Sequence, residues 1–294
     1  MRIFYVFAFL LIFSCKDNSK QVKGNPESSL KPSALIEVFK YQPDHTPWIS
    51  VHRGGVGLLN YPENCLETIK YVNDSIAAVF EIDIAKTKDG VLVLLHDNTL
   101  ERTTTGTGKL TQYTYDELLA FNMKDDFGNV TNFKIPKFSD VLSWSKANQA
   151  ILTVDIKRSV DVADVIQEIR DAQAEDIALI ITYDMEQANK AYNLAPDLLL
   201  SVSARNQEEL DWLLESNIPT QNMLAFTGTR LSDKSLYTNL HENGIKTMLG
   251  TLGNLDKQAE AKGDGLYMKW RKLGIDIFAT DRPFEAAKAL NIEK

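Results

Sequence analysis

Residues 80–105 read F-E-I-D-I-A-K-T-K-D-G-V-L-V-L-L-H-D-N-T-L-E-R-T-T-T, and the placing of acids among apolar residues there decides the fold. Glu81 and Asp83 stand two residues apart with apolar neighbours, so on an extended strand both side chains leave the same face. At ~3.3 Å per residue their Cα atoms lie roughly 6.6 Å apart, close enough for both carboxylates to hold one cation. The turn Lys88-Asp89-Gly90 leads into the apolar run Val91–Leu95, which ends on His96. Two acids on one strand and a histidine at the end of the next are the components of a metal-assisted acid–base site.

Strand and helix patterns alternate on either side of this stretch. Trp48–His52 and Ala78–Ala85 read as strands, followed by Ala150–Ile156, Ile177–Thr182, Leu198–Val202, Met223–Phe226, Ile245–Leu249 and Ile275–Thr280. Helical periodicity falls between them: Asn64–Asn73 with Asn64 as its cap, Ser139–Ala147, Val160–Ala172, Met185–Tyr192, Gln207–Ser216, Ser232–Asn243, Leu255–Lys272 and a closing Phe284–Asn291. Runs such as I-A-L-I-I-T and D-L-L-L-S-V are apolar without alternation, as in strands covered on both faces of a parallel sheet. Eight strand–helix units in about 245 residues predict an α/β fold, a (β/α)8 TIM barrel, with Val91–Leu95 as an addition. The polar segment Thr103–Phe133, with a short helix at Thr114–Ala120, reads as a small insertion after the second strand. A doubly wound open sheet is the alternative, and the lack of a G-x-G-x-x-G after the first strand counts against its dinucleotide-binding form.

Composition narrows the function. The chain has 294 residues, 44% hydrophobic and 24% charged, enough for one large core. A net charge of -8 without a basic cluster argues against nucleic acid as a partner. Met1-Arg2 followed by the apolar run Ile3–Phe13 is too short to span a bilayer and suits a signal peptide, residues 1–14. The ending I-F-S-C resembles a bacterial lipobox, which would make Cys15 the lipidated N-terminus of an exported, membrane-anchored lipoprotein on a periplasmic or outer-membrane face. The alternative is an ordinary secretory signal. Lys16–Pro32 reads as a tether within a lead-in at 15–45, with the catalytic barrel at 46–294. Cys65, left without a partner, reads as a packing thiol at a half-buried helical position rather than a nucleophile.

In a barrel the active site lies at the C-terminal ends of the strands, and the polar residues gather there. They are His52-Arg53, Glu81 and Asp83, His96-Asp97, Asp155 and Lys157, and Thr280-Asp281-Arg282. Glu81, Asp83 and Asp155 form an oxygen-only set that suits Mg2+ or Ca2+ better than zinc. Arg53 and Lys157 add positive charge for a phosphate, and His52 and His96 can move protons. The bland alternative is an ion-pair network in which Arg53 and Lys157 merely neutralise the acids.

Several of these residues sit in motifs that resemble one family. They are H-R-G at 52–54, P-E-N at 62–64, E-I-D at 81–83, T-K-D-G-V-L-V-L-L-H-D at 87–97, R-T-T at 102–104, I-P at 135–136, V-D-I-K at 154–157 and G-I-D-I-F-A-T-D-R-P at 274–283. Together they resemble the glycerophosphodiester phosphodiesterase family, in order, over about residues 48–290. The resemblance implies a barrel of the phospholipase-C-like phosphodiesterase type, with His52 and His96 as general acid and base. It implies Arg53 and Lys157 on the phosphate, Glu63 and Asn64 with polar side chains facing the site entrance, and Glu81, Asp83 and Asp155 on a divalent cation. Asp155 departs from the Glu usual there, and M-L-G-T-L-G-N at 248–254 departs from an aromatic strand end, where Asn254 could stand in.

The implied reaction is metal-dependent hydrolysis of a glycerophosphodiester to sn-glycerol 3-phosphate and an alcohol. Phosphoinositide-type phospholipase C or lysophospholipase D chemistry is the nearest rival, and a non-catalytic glycerophosphodiester-binding lipoprotein a rival of another class. The insertion is mostly polar, with Phe121, Met123, Phe127 and Phe133 scattered through it, which favours soluble headgroups. Tyr183, Phe226, Leu252 and Trp270 are candidate walls for the substrate.

Overall fold

The computed structural model describes residues 30–292 and 294. The apolar run Ile3–Phe13, Cys15 and nearly all of the tether lie outside the described residues. Among those described, no helix is long and apolar enough to cross a membrane.

Nine strands form: β1 Trp48–Val51, β2 Val79–Lys86, β3 Leu92–Leu94, β4 Ile151–Ile156, β5 Ala178–Ile181, β6 Leu200–Ser203, β7 Met223–Phe226, β8 Lys246–Gly250 and β9 Ile277–Thr280. The sheet runs β1-β9-β8-β7-β6-β5-β4-β2 and then closes, because β1 also pairs with β2. The eight barrel strands are parallel; only β3 is antiparallel. The open-sheet alternative is thereby excluded. Closure also accounts for the unalternating apolar strands, since each has barrel interior on one face and helices on the other.

The addition after β2 has a clear place. β1 pairs with β2 only at Val79 and Phe80, while β3 pairs with Ile84, Ala85 and Lys86 on the edge away from β4. Thus β3 takes over the edge of β2 above the end of β1 and runs back down toward the mouth.

The helices are α1 Leu35–Val38, α2 Leu66–Ser75, α3 Tyr115–Leu118 in the insertion, α4 Phe138–Asn148, α5 Val162–Asp171, α6 Met185–Leu194, α7 Gln207–Glu215, α8 Lys234–Glu242, α9 Asn254–Lys262, α10 Gly265–Arg271 and α11 Pro283–Leu290. Two expectations change here. The single helix over 255–272 is two, because Gly263 adopts φ +102, a conformation no α-helix passes through. The helix expected from Asn64 begins instead at Leu66 behind Cys65, and Asn64 is not its cap.

The lead-in contributes more than a tether. Leu35, Ile36 and Phe39, on and beside α1, are buried in one apolar cluster with Val79, Leu179, Leu199, Leu224, Met248 and Ile277. They close the bottom of the barrel with apolar surface, leaving the mouth as its open end.

Candidate active site

The H-R-G segment sets the geometry of the mouth. After β1 the chain turns sharply at His52–Gly54, with Arg53 at φ +51. Gly54 and Gly55 have positive φ, and a Cβ on them would meet Ile69 Cγ1 at 2.8 Å and Thr68 Cγ2 at 2.7 Å. Only glycine allows α2 to pack this closely under the turn. The turn aims the Arg53 backbone N–H at Glu81, donating to Oε2 at 2.7 Å.

Glu81 and Asp83 both point into the barrel from β2, and Asp155 on β4 lies in register with Asp83. One oxygen from each of the three lies within 4.8 Å of one from each of the others. Asp83 is the best supported. It accepts 2.7 Å from Asn64 Nδ2 and 2.6 Å from Lys157 Nζ, and its own N–H donates to Asn64 Oδ1 at 2.9 Å.

The charges in this cluster do not balance. Burial first, then the charges of Asp83 and Asp155, push the Glu81 carboxyl well above the usual carboxylate range. Burial and Asp83 likewise raise Asp155, whose nearest cation, Lys157 Nζ, is 3.8 Å away. Burial would raise Asp83 as well, but the Lys157 ammonium and the Asn64 amide outweigh it and hold it low. Lys157 therefore neutralises one acid of three, and the ion-pair network expected as the bland alternative exists but is incomplete. An oxygen-only triad short of positive charge fits a hard divalent cation.

The two histidines flank the triad, and each is held by its own aspartate. His52 Nδ1 lies 2.7 Å from Asp281 Oδ1, and His96 Nδ1 lies 2.7 Å from Asp97 Oδ1. An ionised carboxylate only accepts, so both rings carry their proton on Nδ1 when neutral and keep Nε2 for the cavity. Burial opposes ionisation of Asp281, but the His52 ring outweighs it and holds the carboxyl below the usual range. Asp97 is held low chiefly by Arg102, against burial, with His96 adding to the effect. His52, Glu81, Asp83, His96 and Asp155 line one cavity of about 290 Å3, together with Tyr183, Phe226 and Leu252.

Other expected residues have different roles. Glu63 and Asn64 are buried and do not face the entrance, which corrects their placing as substrate contacts. Glu63 accepts from Arg102 Nη2 at 2.7 Å and Nη1 at 2.8 Å, and from Arg53 Nη1 at 3.1 Å. Burial opposes its charge, yet Arg102 and Arg53 hold its carboxyl below the usual range. A buried carboxylate so engaged orients arginines and would repel a phosphate. Asn64, at φ +52, spends its amide on Asp83. Trp270 is no wall, since it packs edge-on against Tyr267 on the outer helices, and Asn254 is exposed. Arg53 and Lys157 do adjoin the triad as expected, Arg53 Nε lying 3.7 Å from Asp83 Oδ2.

Three partners were given no role beforehand: Asp281 and Asp97, placed only among the polar strand ends, and Arg102, only within R-T-T. The signal was present in T-D-R-P at 280–283, H-D at 96–97 and R-T-T at 102–104. What the sequence does not show is that Asp281, 229 residues from His52, closes the barrel beside it through the pairing of β9 with β1.

Two histidines beside an acidic cavity at the mouth of a (β/α)8 barrel suit the chemistry of a phosphoric diester hydrolase. Known proteins agree. The Glycerophosphoryl diester phosphodiesterase family matches residues 52–285. The chain is 30% identical over 251 residues with a glycerophosphodiester phosphodiesterase of Bacillus altitudinis, covering 82% of this chain and 96% of that one. Its match with a Bacillus subtilis protein, 28% identical over 156 residues, covers 51% of this chain and 63% of that one. The crystal structure of a glycerophosphoryl diester phosphodiesterase from Parabacteroides distasonis superposes with a TM-score of 0.81 at 35% identity, covering 89% and 93% of the two chains. An Oleispira antarctica phosphodiesterase, solved with the product sn-glycerol-3-phosphate, shares the fold, with a TM-score of 0.71 at 18% identity, covering 87% and 99%. The chain belongs to the glycerophosphoryl diester phosphodiesterase family.

Proposed function

We propose that the protein hydrolyses glycerophosphodiesters to sn-glycerol 3-phosphate and a free alcohol, with His52 and His96 as the acid–base pair. The observation that carries this is the pair of aspartate-held histidines, Nε2 free toward the cavity, on either side of Glu81, Asp83 and Asp155. That the Oleispira antarctica structure holds sn-glycerol-3-phosphate supports the choice of product.

One histidine, neutral at Nε2, takes a proton from the attacking hydroxyl, and the other, protonated, gives one to the leaving oxygen. The phosphorus–oxygen bond to the alcohol breaks, and one proton passes in net from water to that alcohol. Asp281 and Asp97 stabilise the imidazolium form of each ring and keep the second nitrogen aimed. Arg53 and Lys157 offer hydrogen bonds to phosphate oxygens, with Arg53 steadied by Glu63. Glu81, Asp83 and Asp155 would hold the divalent cation, Mg2+ or Ca2+, which supplies neutralising charge to the phosphate.

The insertion bears on the lipid-acting rivals. Met123 is fully buried and Phe121 and Phe133 are partly covered, leaving Phe127 as the exposed apolar side chain of the four. Leu119 and Val130 are exposed there as well, and the mostly polar remainder of the insertion favours a deacylated, soluble diester over a lipid. Export as a lipoprotein through Cys15 belongs to the same proposal: an anchored enzyme would meet diesters released from membranes. A Cys15→Ser variant should leave the membrane fraction and lose labelling by palmitate.

The deciding assay follows release of glycerol 3-phosphate from choline, ethanolamine, glycerol and inositol diesters, with and without chelator. Turnover that chelator abolishes and divalent cation restores is expected. Binding without turnover would instead favour a capture protein, and preference for a lysophospholipid would favour the phospholipase D alternative.

A further inference from the structure

Two polar atoms of the active-site cavity have no partner. Ser50 Oγ and Thr153 Oγ1 are buried, line the same cavity as the carboxylates, and make no hydrogen bond among the described residues. The sheet fixes where they are. Thr153 pairs in register with Glu81 and precedes Asp155 by two residues, so it faces inward one layer below Asp155. Ser50 stands likewise two residues before His52 on β1. Between β1 and β4 lies β2, which carries Glu81.

Most other buried hydroxyls among the described residues are satisfied locally. Thr182, Thr227 and Thr251 donate to the backbone carbonyls of Ser201, Met248 and Ala279 on neighbouring strands. Ser145 and Thr103 are also unpartnered, but neither lines this cavity. Ser50 and Thr153 thus stand apart in being buried, unpartnered and turned into the site. An unpaired buried hydroxyl is costly and is ordinarily met by protein or by ordered water. The cavity has room for a water, and these two hydroxyls supply two of the two to four partners one needs.

We propose that Ser50 and Thr153 form the floor of the cation site, holding a buried water against its inner face beneath Glu81 and Asp155. The inference rests on the cation-binding reading of Glu81, Asp83 and Asp155. A water whose protons go to the two hydroxyl oxygens turns its lone pairs up into the carboxylate cluster. Against three carboxylates alone that orientation is repulsive; with a divalent cation among them it is attractive. The floor therefore favours the loaded state, and it would add an oxygen to a protein set of three when Ca2+ takes six to eight and Mg2+ six.

The test is cation affinity. Ca2+ and Mg2+ are titrated calorimetrically into chelator-treated wild-type protein, Ser50→Ala, Thr153→Val and the hydroxyl-retaining Thr153→Ser. Both hydroxyl deletions should weaken binding about tenfold, the range for groups that support metal ligands, while Thr153→Ser keeps wild-type affinity. Without cation, the melting temperature of the deletions should be unchanged or raised, since an unpaired hydroxyl has gone. If Thr153→Val does not fold, Ser50→Ala decides the question. Unchanged affinity in the deletions overturns the floor alone. Failure of the wild-type protein to bind either cation overturns the cation reading and the floor with it.

Discussion

At the bottom of the barrel, Asp276 is buried between two histidines; at the mouth, Asp281 and Asp97 each hold one. The chemical parts match, and the wiring does not. Asp276 accepts from His241 Nε2 at 2.8 Å and from the Thr247 N–H at 2.7 Å, with Arg271 Nη1 at 3.3 Å and His45 Nε2 at 3.2 Å. His45 turns its other nitrogen to the Gln42 carbonyl at 2.6 Å, and His241 stacks on Tyr41 at 3.9 Å. His241 also spends only one nitrogen on a hydrogen bond, and neither ring lines the cavity of the mouth. The mouth rings spend one nitrogen each and keep the other for a ligand. A histidine–aspartate pair is catalytic equipment only where one nitrogen is left over beside a cavity.

The largest expected effect breaks this comparison most directly. His52→Ala or His96→Ala should lower turnover by about 10²- to 10⁴-fold, the usual contribution of a positioned acid or base, with cation affinity and melting temperature near wild type. His45→Ala or His241→Ala should do the reverse: lower stability and leave turnover per folded molecule intact. Steady-state rates normalised to the folded fraction separate the two. Equal losses of turnover at both ends would sink the distinction.

Asp276→Ala comes next. It strands Arg271 and two histidines around a fully buried hole, and removing one partner of a buried ionic cluster costs about 3–5 kcal/mol. Urea unfolding measures it, and the lost contacts are those that pin the lead-in: Arg271 Nη2 also donates to the His45 carbonyl at 3.0 Å. Asp281→Asn, at the mouth, should instead spare stability and lower kcat, because the site rather than the fold depends on it.

Acid sharpens the same contrast. Burial would raise Asp276, but His241, His45 and the Thr247 N–H hold its carboxyl far below the usual range. The folded-state value is thus depressed relative to the unfolded one, near 3.9 for Asp. Its stabilisation is present above that unfolded value and is lost as pH falls below about 4. Tyr41, Lys246, Arg271 and the two histidines face this carboxylate. Between pH 5 and pH 3 the wild-type urea midpoint should fall more steeply than that of Asp276→Asn. Parallel curves would show that Asp276 does not carry the acid sensitivity.

How much of this was visible in the residues alone varied by end of the barrel. The mouth was legible because strand periodicity is short-range: Glu81 with Asp83, and Asp155 with Lys157, share a face whatever the fold, and the T-K-D-G turn marks the stretch that carries His96. The bottom was not, because Asp276 meets His241 and His45 only when β9 packs between β8 and β1, and nothing local marks that meeting. Glu63 and Asn64 were misplaced for a related reason. The resemblance put both at the entrance, yet one lies beneath two arginines and the other behind Asp83. The break at Gly263 could have been found, since glycine after a helical run is a stop signal.

The smallest expected effect tests whether nearness to the mouth matters without access to the cavity. Cys65 follows Asn64 directly, yet its side chain packs among Leu95, Leu100, Leu118 and Met123 rather than facing the site. It is fully buried, and its thiol donates to Glu67 Oε2 at 3.1 Å. Burial, with the Glu67 charge added, pushes the thiol up to about 12, so almost no thiolate exists at neutral pH and the sulfur is inert toward thiol reagents in the folded protein. Cys65→Ala should cost about 1 kcal/mol, the ordinary scale for trimming one buried group, and leave turnover unchanged. Were it instead to abolish turnover at wild-type stability, distance from the cavity would no longer separate the catalytic residues from the packed ones around them.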